Sequence, residues 1–390
     1  MNYEEVIELL FTKRPEDTHN SVEAIREIAR TLDSPEKAYP TIHVTGTNGK
    51  GSVSLKIAKA LESSGLKVGL FTSPHLVSFC ERIVINGIQI PEETARQGLL
   101  KLLNLDNDLC FFELATLLAF EYFRDQKVDI AVIEAGIGGL LDTTNIILPQ
   151  ISIITSVACD HEDVLGKTLE EIAFQKAGII KPGIPIVIGP HADLAVIRQR
   201  AADCKSPLYK VESQPGFYDV ENTAIARQAL KLLNLSSPDI EAGLRWRPSC
   251  RFEHIGKTIL DVAHNPAGFI RLLEAFELSF PGRRFSAVVG MSKDKDVRKC
   301  LMMLAERADH LYLVQAPIDK AVPAEEMGQI LRQNGFDRFT AGLSIGDSVR
   351  EALASEEMVL VCGSFYIMKE VRQEIFGIKV AHDQLLLNRG

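Results

Sequence analysis

Short runs of β-branched and aliphatic residues alternate with helically spaced apolar segments along nearly the whole chain. That alternation restricts the fold to mainly parallel sheet with helices on both faces. Thr41–Thr45 reads as the first strand, 53–64 as a helix closed by Gly65, and 67–71 as the second strand. A buried helix is expected over 112–124, and further strands over 128–133, 150–155 and 185–188. The pattern restarts near Trp246, with strand candidates at 258–261, 285–289, 311–314 and 358–362. At roughly 100–200 residues per domain, 390 residues suit two such units. The segment 242–249 mixes turn formers with Pro248, so the expected division is 1–247 and 248–390.

Charge and composition exclude several partner classes. The chain is 46% hydrophobic and 24% charged, enough to bury a full core. A net charge of −9 disfavours nucleic acid, whose binding relies on basic side chains. An anionic substrate must therefore be captured by local cations. No apolar run approaches the roughly 20 residues of a membrane span, and FELATLLAFEYF is interrupted by Glu113 and Glu121. The seven cysteines form no C-x-x-C pair, and the N-terminal MNYEEVIELLF is acidic where a signal peptide is basic. Reduced, buried thiols in a cytoplasmic protein are expected.

The first strand runs into Thr45-Gly-Thr-Asn-Gly-Lys-Gly-Ser-Val53. A common phosphate loop reads G-x-x-x-x-G-K-[ST], but here Gly51 separates Lys50 from Ser52 and Val44 occupies the leading glycine position. The context nevertheless fits: Gly46, Gly49 and Gly51 follow a strand and open a helix, where backbone N–H groups and the helix N-terminus attract anions. Lys50 could reach a terminal phosphate, and Thr47 or Ser52 could offer a hydroxyl to Mg²⁺. The alternative is a glycine-rich turn that binds nothing.

Other chemistry-bearing residues follow strand ends, where open α/β sheets place ligands. Ser73 lies in TSPHL, which also reads as a plain Ser-Pro turn. Glu134 ends an apolar strand before Gly136, Gly138 and Gly139, so it needs a partner, a metal or a helix to cap. His161 lies in DHEDVLG and, taken alone, suits Mg²⁺ poorly. Lys176 sits among apolar residues in FQKAGIIKP. Such a lysine usually snorkels outward, but if buried its amine becomes nucleophilic.

Together HVTGTNGKGSV, SPHLVSFCERI, FFELATLLAF, EAGIGGLLDTTN, the 154–183 segment, LDVAHNP and GSFYIM resemble the Mur-type ligases. The branch they resemble more closely is folylpolyglutamate synthase/dihydrofolate synthase. The resemblance implies a P-loop Mur-ligase-type central α/β domain with a mainly parallel sheet, plus a smaller Rossmann-like C-terminal α/β domain. It implies ATP and Mg²⁺ as cofactors, and an ATP-dependent ligase joining L-glutamate to dihydropteroate or a reduced folate through an acyl phosphate. Residue by residue, it implies that Gly46, Thr47, Asn48, Gly49, Lys50, Gly51 and Ser52 hold phosphates. Ser73, Glu134 and His161 match metal ligands, Lys176 a carbamylated lysine, and Asn222 a nucleotide contact. Arg251, Asp261 and His264 match the second domain's contributions, with Lys293 and Asp294 in a loop beside the same cleft. Lys50, Lys176, His264 and Arg251 would carry the catalysis, in a monomer.

The chain departs from the family pattern at several positions: Leu140 for an arginine, Val262 for a glycine, 217–219 for a His-Gln pair, Cys250 before Arg251, and Ser21-Val22 for Gly-Leu. Leu140 borders the acceptor pocket, so acceptor choice is open. A ligase restricted to one acceptor and a non-catalytic nucleotide-binding regulator are the competing readings. The regulator would need none of Lys176, His161 and Arg251.

Overall fold

The computed structural model describes residues 1–13, 22–105, 108–214, 216–355 and 357–377, and the backbone of 387–389. Ser21 lies outside the described residues. The first sheet comprises β1 (Thr41–Thr45), β2 (Val68–Phe71), β3 (Ile83–Ile85), β4 (Ile88–Gln89), β5 (Ile130–Glu134), β6 (Ile151–Ile154), β7 (Ile186–Ile188) and β8 (Leu208–Lys210). Its order is β4-β3-β2-β5-β1-β6-β7-β8. All pairings are parallel except β2–β3 and β3–β4, which form an antiparallel edge. Every residue of β1, β5 and β6 is buried, as expected of strands covered by helices on both sides.

Register fixes where the site lies. Val44 pairs with Glu134, Thr45 with Ile154, and Phe71 with Ile133. The carboxyl ends of β1, β2, β5 and β6 are therefore level, and the loops after them open at one edge.

Six further strands build the second sheet: β10 (Glu253–Ile255), β11 (Thr258–Leu260), β12 (Phe285–Val289), β13 (Ala308–Leu313), β14 (Phe339–Ala341) and β15 (Met358–Cys362). Their order is β10-β11-β15-β12-β13-β14, parallel except for β10–β11. The apolar candidates at 258–261, 285–289, 311–314 and 358–362 supply its centre. The two edge strands were not anticipated: β10 and β14 are three residues each and only partly apolar.

The expected turn at 242–249 is corrected by the structure. A helix runs to Leu244, and Trp246–Pro248, β9, pairs antiparallel with Leu387–Arg389, β16. The helix expected from Val53 already starts at Lys50, because left-handed Gly49 (φ 88°) caps it three residues earlier. Six cysteines are buried and free, whereas Cys159 is exposed. No described helix is long and apolar enough to cross a membrane.

Candidate active site

The loop after β1 is wrapped by β6 and the segment following it. Thr155 Oγ1 donates to the Asn48 carbonyl (2.6 Å), Asn48 N to Ser156 Oγ (2.9 Å), and Thr47 N to the Ser156 carbonyl (2.8 Å). Gly46 has φ 152°, and a Cβ there would stand 1.9 Å from Thr155 Oγ1, so only glycine fits. A Cβ on Gly49 would meet Asn222 Oδ1 at 2.4 Å, which places the Asn222 carbamoyl against the loop. Gly51 faces Glu134, with a built Cβ 3.6 Å from the carboxylate, an ordinary contact distance. Ser52 is buried in the first helical turn.

Lys50 folds back on the loop, donating to the carbonyls of Gly46 (2.9 Å) and Thr47 (3.3 Å). Burial depresses its pKa, Glu134 and Asp160 act in the opposite sense, and Arg251 adds to the depression. This cation has only neutral hydrogen-bond partners.

Glu134 is 2% exposed, and burial pushes its carboxyl up to about 6 against the pull of Lys50. It caps no helix. One oxygen accepts the Ser73 N–H (3.1 Å), and the other takes no hydrogen bond among the described residues. His161 sits in left-handed backbone (φ 52°) at the mouth of the loop after β6. Burial lowers its imidazole to about 4, Asp160 opposes this, and Lys295 and Lys50 reinforce it; the ring is neutral near pH 7, and its Nε2 accepts Lys295 Nζ at 3.4 Å. No group of three or more His, Cys, Asp or Glu forms a ready-made cage among the described residues. A cation here would be held by few protein groups, in the manner of Mg²⁺ shared with phosphate oxygens.

Lys176 does not snorkel. It is 2% exposed on the 169–177 helix, and its amine makes no hydrogen bond or ion pair among the described residues. Burial, then repulsion from Lys50, lowers it to about 7. A substantial fraction is thus neutral amine at neutral pH.

The second unit brings Arg251 to the same place. Arg251 lies between two residues in left-handed backbone, Cys250 (φ 56°) and Phe252 (φ 50°), at the crest of a tight arch. Glu253 Oε2 accepts Cys250 N (2.8 Å) and Arg372 Nη1 (2.6 Å). Asp261 Oδ2 accepts Phe252 N (2.8 Å) and Tyr218 Oη (2.7 Å), and Oδ1 accepts Ala263 N (2.8 Å). In this structure Asp261 braces the arch. The Arg251 guanidinium rests 4.8 Å above the Phe365 ring, and its charge acts on both Lys50 and Glu134. His264 stands with Nε2 3.5 Å from Asp160.

Several residues join the site without having been singled out. Asp160 is its hub: it accepts Lys295 Nζ (2.6 Å) and Asn265 Nδ2 (2.8 Å) from the second unit. Burial alone would raise its carboxyl, but His264, His161 and Lys295 outweigh burial and hold it far below the usual range. Asn48 and Asn265 exchange reciprocal hydrogen bonds of 3.1 Å across the cleft. Lys295, not exposed Lys293, is the lysine of MSKDKD that reaches in. An aromatic wall stands beside Ser73: Phe11 stacks on Phe111 at 5.2 Å and packs edge-on to His75, and Phe112 lies against Gly136. Only the DH and AHNP contexts hinted at the first cluster, and nothing local pointed to Phe11.

The profile of the Mur ligase middle domain matches residues 44–215, and that of the Mur ligase, glutamate ligase domain matches 250–365. The two sheets and the cleft between them are thus those of a Mur-type ligase. Folylpolyglutamate synthase of Lacticaseibacillus casei is 34% identical over 97% of this chain and 100% of its own length. Dihydrofolate synthase/folylpolyglutamate synthase of Bacillus subtilis is 31% identical over 90% and 94%. The solved Escherichia coli FolC in complex with DHPP and ADP superposes with a TM-score of 0.88 at 27% identity, covering 97% of this chain and 98% of that one. A bifunctional folylpolyglutamate synthase/dihydrofolate synthase with Mn, AMPPNP and L-glutamate bound, matched at a TM-score of 0.87, is 28% identical over 97% and 98%. The chain belongs to the folylpolyglutamate synthase/dihydrofolate synthase family, and is an ATP-dependent ligase that forms a C–N bond.

Proposed function

We propose that the cleft activates the carboxylate of dihydropteroate or of a reduced folate with ATP and joins it to L-glutamate. The observation that carries this reading is the convergence of Lys50, Glu134, Lys176 and Arg251 from both units on the glycine-rich loop that opens the 50–63 helix. A carboxylate is too poor an electrophile for an amine. Its oxygen therefore attacks the γ-phosphorus, the bond to the ADP oxygen breaks, and an acyl phosphate results. The glutamate nitrogen then adds to that carbonyl, phosphate leaves, and the nitrogen's surplus proton departs. Lys50 and Arg251 neutralise charge that grows on the transferring group. Asp160, Asn265 and Lys295 hold the two units together and keep water from the anhydride.

Ser73, Glu134 and His161 would hold a divalent cation, which supplies further neutralisation of the phosphates. Glu134's unpaired oxygen fits that task, and the neutral His161 ring would do so by exchanging its Lys295 contact for the cation. Lys176 would react as neutral amine with CO₂, losing a proton to give a carbamate whose carboxylate faces Lys50. Asn222 and the 46–52 backbone bind the nucleotide. Phe11, Phe111 and Phe112 suit the flat ring of the acceptor. On this reading the chain divides at 247/248 and acts as a cytoplasmic monomer.

The test is amide formation from ATP, Mg²⁺ and L-glutamate with dihydropteroate and tetrahydrofolate in turn. Phosphate release dependent on both acceptors is expected. Release with one alone restricts the enzyme to that acceptor, and release with neither overturns the substrate assignment.

A further inference from the structure

Most buried cations of this molecule have an anionic partner. Lys56 meets Asp219 at 3.0 Å, Lys295 meets Asp160 at 2.6 Å, and Arg372 meets Glu253 at 2.6 Å. Arg82 does not. It is 7% exposed at the end of the 79–82 turn, and no carboxylate lies within ion-pairing distance among the described residues. Its Nε donates to His75 Nδ1 at 2.8 Å, so the acceptor nitrogen of that imidazole carries no proton.

The carboxylate nearest in sequence is already engaged. Glu81 accepts the N–H groups of Leu76 (2.7 Å), Val77 (2.9 Å) and Ser78 (2.8 Å). The guanidinium lies 4.9 Å over the Phe111 ring, which fixes its plane beside the aromatic wall. Burial depresses its pKa, while Tyr366 from the second unit, Glu134 and Glu81 act in the opposite sense. Leaving a buried charge without a counter-ion costs several kcal/mol in general, and a structure retains such a charge where a ligand supplies the partner.

We infer that Arg82 binds the reacting carboxylate of the acceptor. The inference rests on the ligase reading above and names the group that receives the anion. The two free nitrogens of the fork match a carboxylate bidentately, as a lysine would not. His75 holds the third nitrogen, and Phe111 the face. This local cation also answers the open question at Leu140: the acceptor's anion does not depend on a positive charge there. Leu140 is instead tied by its backbone N–H to the Gln175 carbonyl at 2.6 Å and packed on Gly178.

The experiment uses the full chain with Arg82→Gln and Arg82→Lys. For each, ATP affinity and the KM and kcat for dihydropteroate and tetrahydrofolate are measured, along with thermal unfolding. Binding of each acceptor is compared with that of its carboxamide, which lacks the reacting anion. In wild type the carboxylate is expected to bind more tightly than the carboxamide. In Arg82→Gln that preference vanishes, kcat/KM falls roughly 10- to 100-fold with both acceptors, and ATP affinity is unchanged. Arg82→Lys is expected to restore part of the preference. Equal weakening of carboxylate and carboxamide overturns the assignment in favour of a packing role, as does a loss confined to tetrahydrofolate, which would place the contact at a different carboxylate. Wild-type protein inactive with both acceptors would sink the ligase reading, while retained carboxylate preference in Arg82→Gln sinks only the role of Arg82.

Discussion

The rim of the first sheet and the arch of the second treat buried charge in opposite ways. At the rim, Lys50 is satisfied by carbonyls, Lys176 by nothing, and Arg82 by a neutral imidazole. In the arch, Arg372 and Glu253 are 2% and 6% exposed and pair at 2.6 Å, and the same carboxylate oxygen holds the Cys250 backbone. The rim keeps cations available for ligands that bring negative charge. The arch spends its charges on itself, to hold one arginine between two residues in left-handed backbone. A buried charge in this molecule therefore has a legible purpose: paired, it shapes; unpaired, it binds.

The sharpest way to break that comparison is Lys50→Met. If rim cations serve ligands, turnover should fall on the order of 1000-fold while the unfolding temperature stays level or rises, because a costly buried charge is gone. A protein that loses stability along with activity would put Lys50 in the structural class. The arch should respond the other way. Glu253→Gln leaves Arg372 uncompensated and is expected to cost about 3–5 kcal/mol of stability, read by denaturant unfolding. Turnover should fall with kcat rather than with ATP affinity, since the arginine is misplaced, not removed. A Glu253→Leu, Arg372→Met double variant should recover much of the stability but not the rate. Recovery of both would show that the arch does not position Arg251.

Lys176 gives a pH signature of an unpaired rim charge. Its folded-state pKa, about 7, lies below the ordinary 10.5. The unfolded chain thus holds more protons than the folded one between those values, and stability rises with pH across that window. In CO₂-free buffer, Lys176→Met should exceed wild type in unfolding temperature most at pH 7 and below. The gap should narrow toward pH 10. A gap independent of pH would mean that the amine is not buried as a titrating group. In turnover, Lys176→Ala should be inactive with or without added bicarbonate.

The contrast also accounts for what could be read in the sequence. Strands β1, β5, β6, β12 and β15 were legible because burial on both faces demands unbroken apolar runs. Short edges such as β4, β8, β14 and the β9–β16 pair carry mixed residues whose pairing is decided by what lies beside them. The 46–52 loop was legible because all its chemistry is contiguous. Glu134 and Lys176 stood out as polar residues in apolar company, as rim residues must, whereas His161, among Asp160, Glu162 and Asp163, drew meaning only from the family resemblance. Arg82 and Asp160 did not, since an arginine in a polar turn looks ordinary until its partners are known. Asp160 becomes a hub only through Lys295 and Asn265, over 100 residues away.

Ser73 tests the comparison at its finest grain. The backbone N–H of Ser73, not its hydroxyl, binds Glu134 at 3.1 Å, so Ser73→Ala leaves that hydrogen bond in place. The hydroxyl is the one group removed. If it is a rim group reserved for a cation, stability should not change, and neither should acceptor KM. The Mg²⁺ concentration for half-maximal turnover should rise by a modest factor, roughly three- to tenfold, as expected for loss of one weak oxygen ligand among several. A normal Mg²⁺ titration would remove Ser73 from the ligand set, leaving the cation to Glu134, His161 and phosphate oxygens. A shifted unfolding temperature would instead make the hydroxyl part of the scaffold, and the line between shaping and binding groups would then run through this loop rather than between the two units.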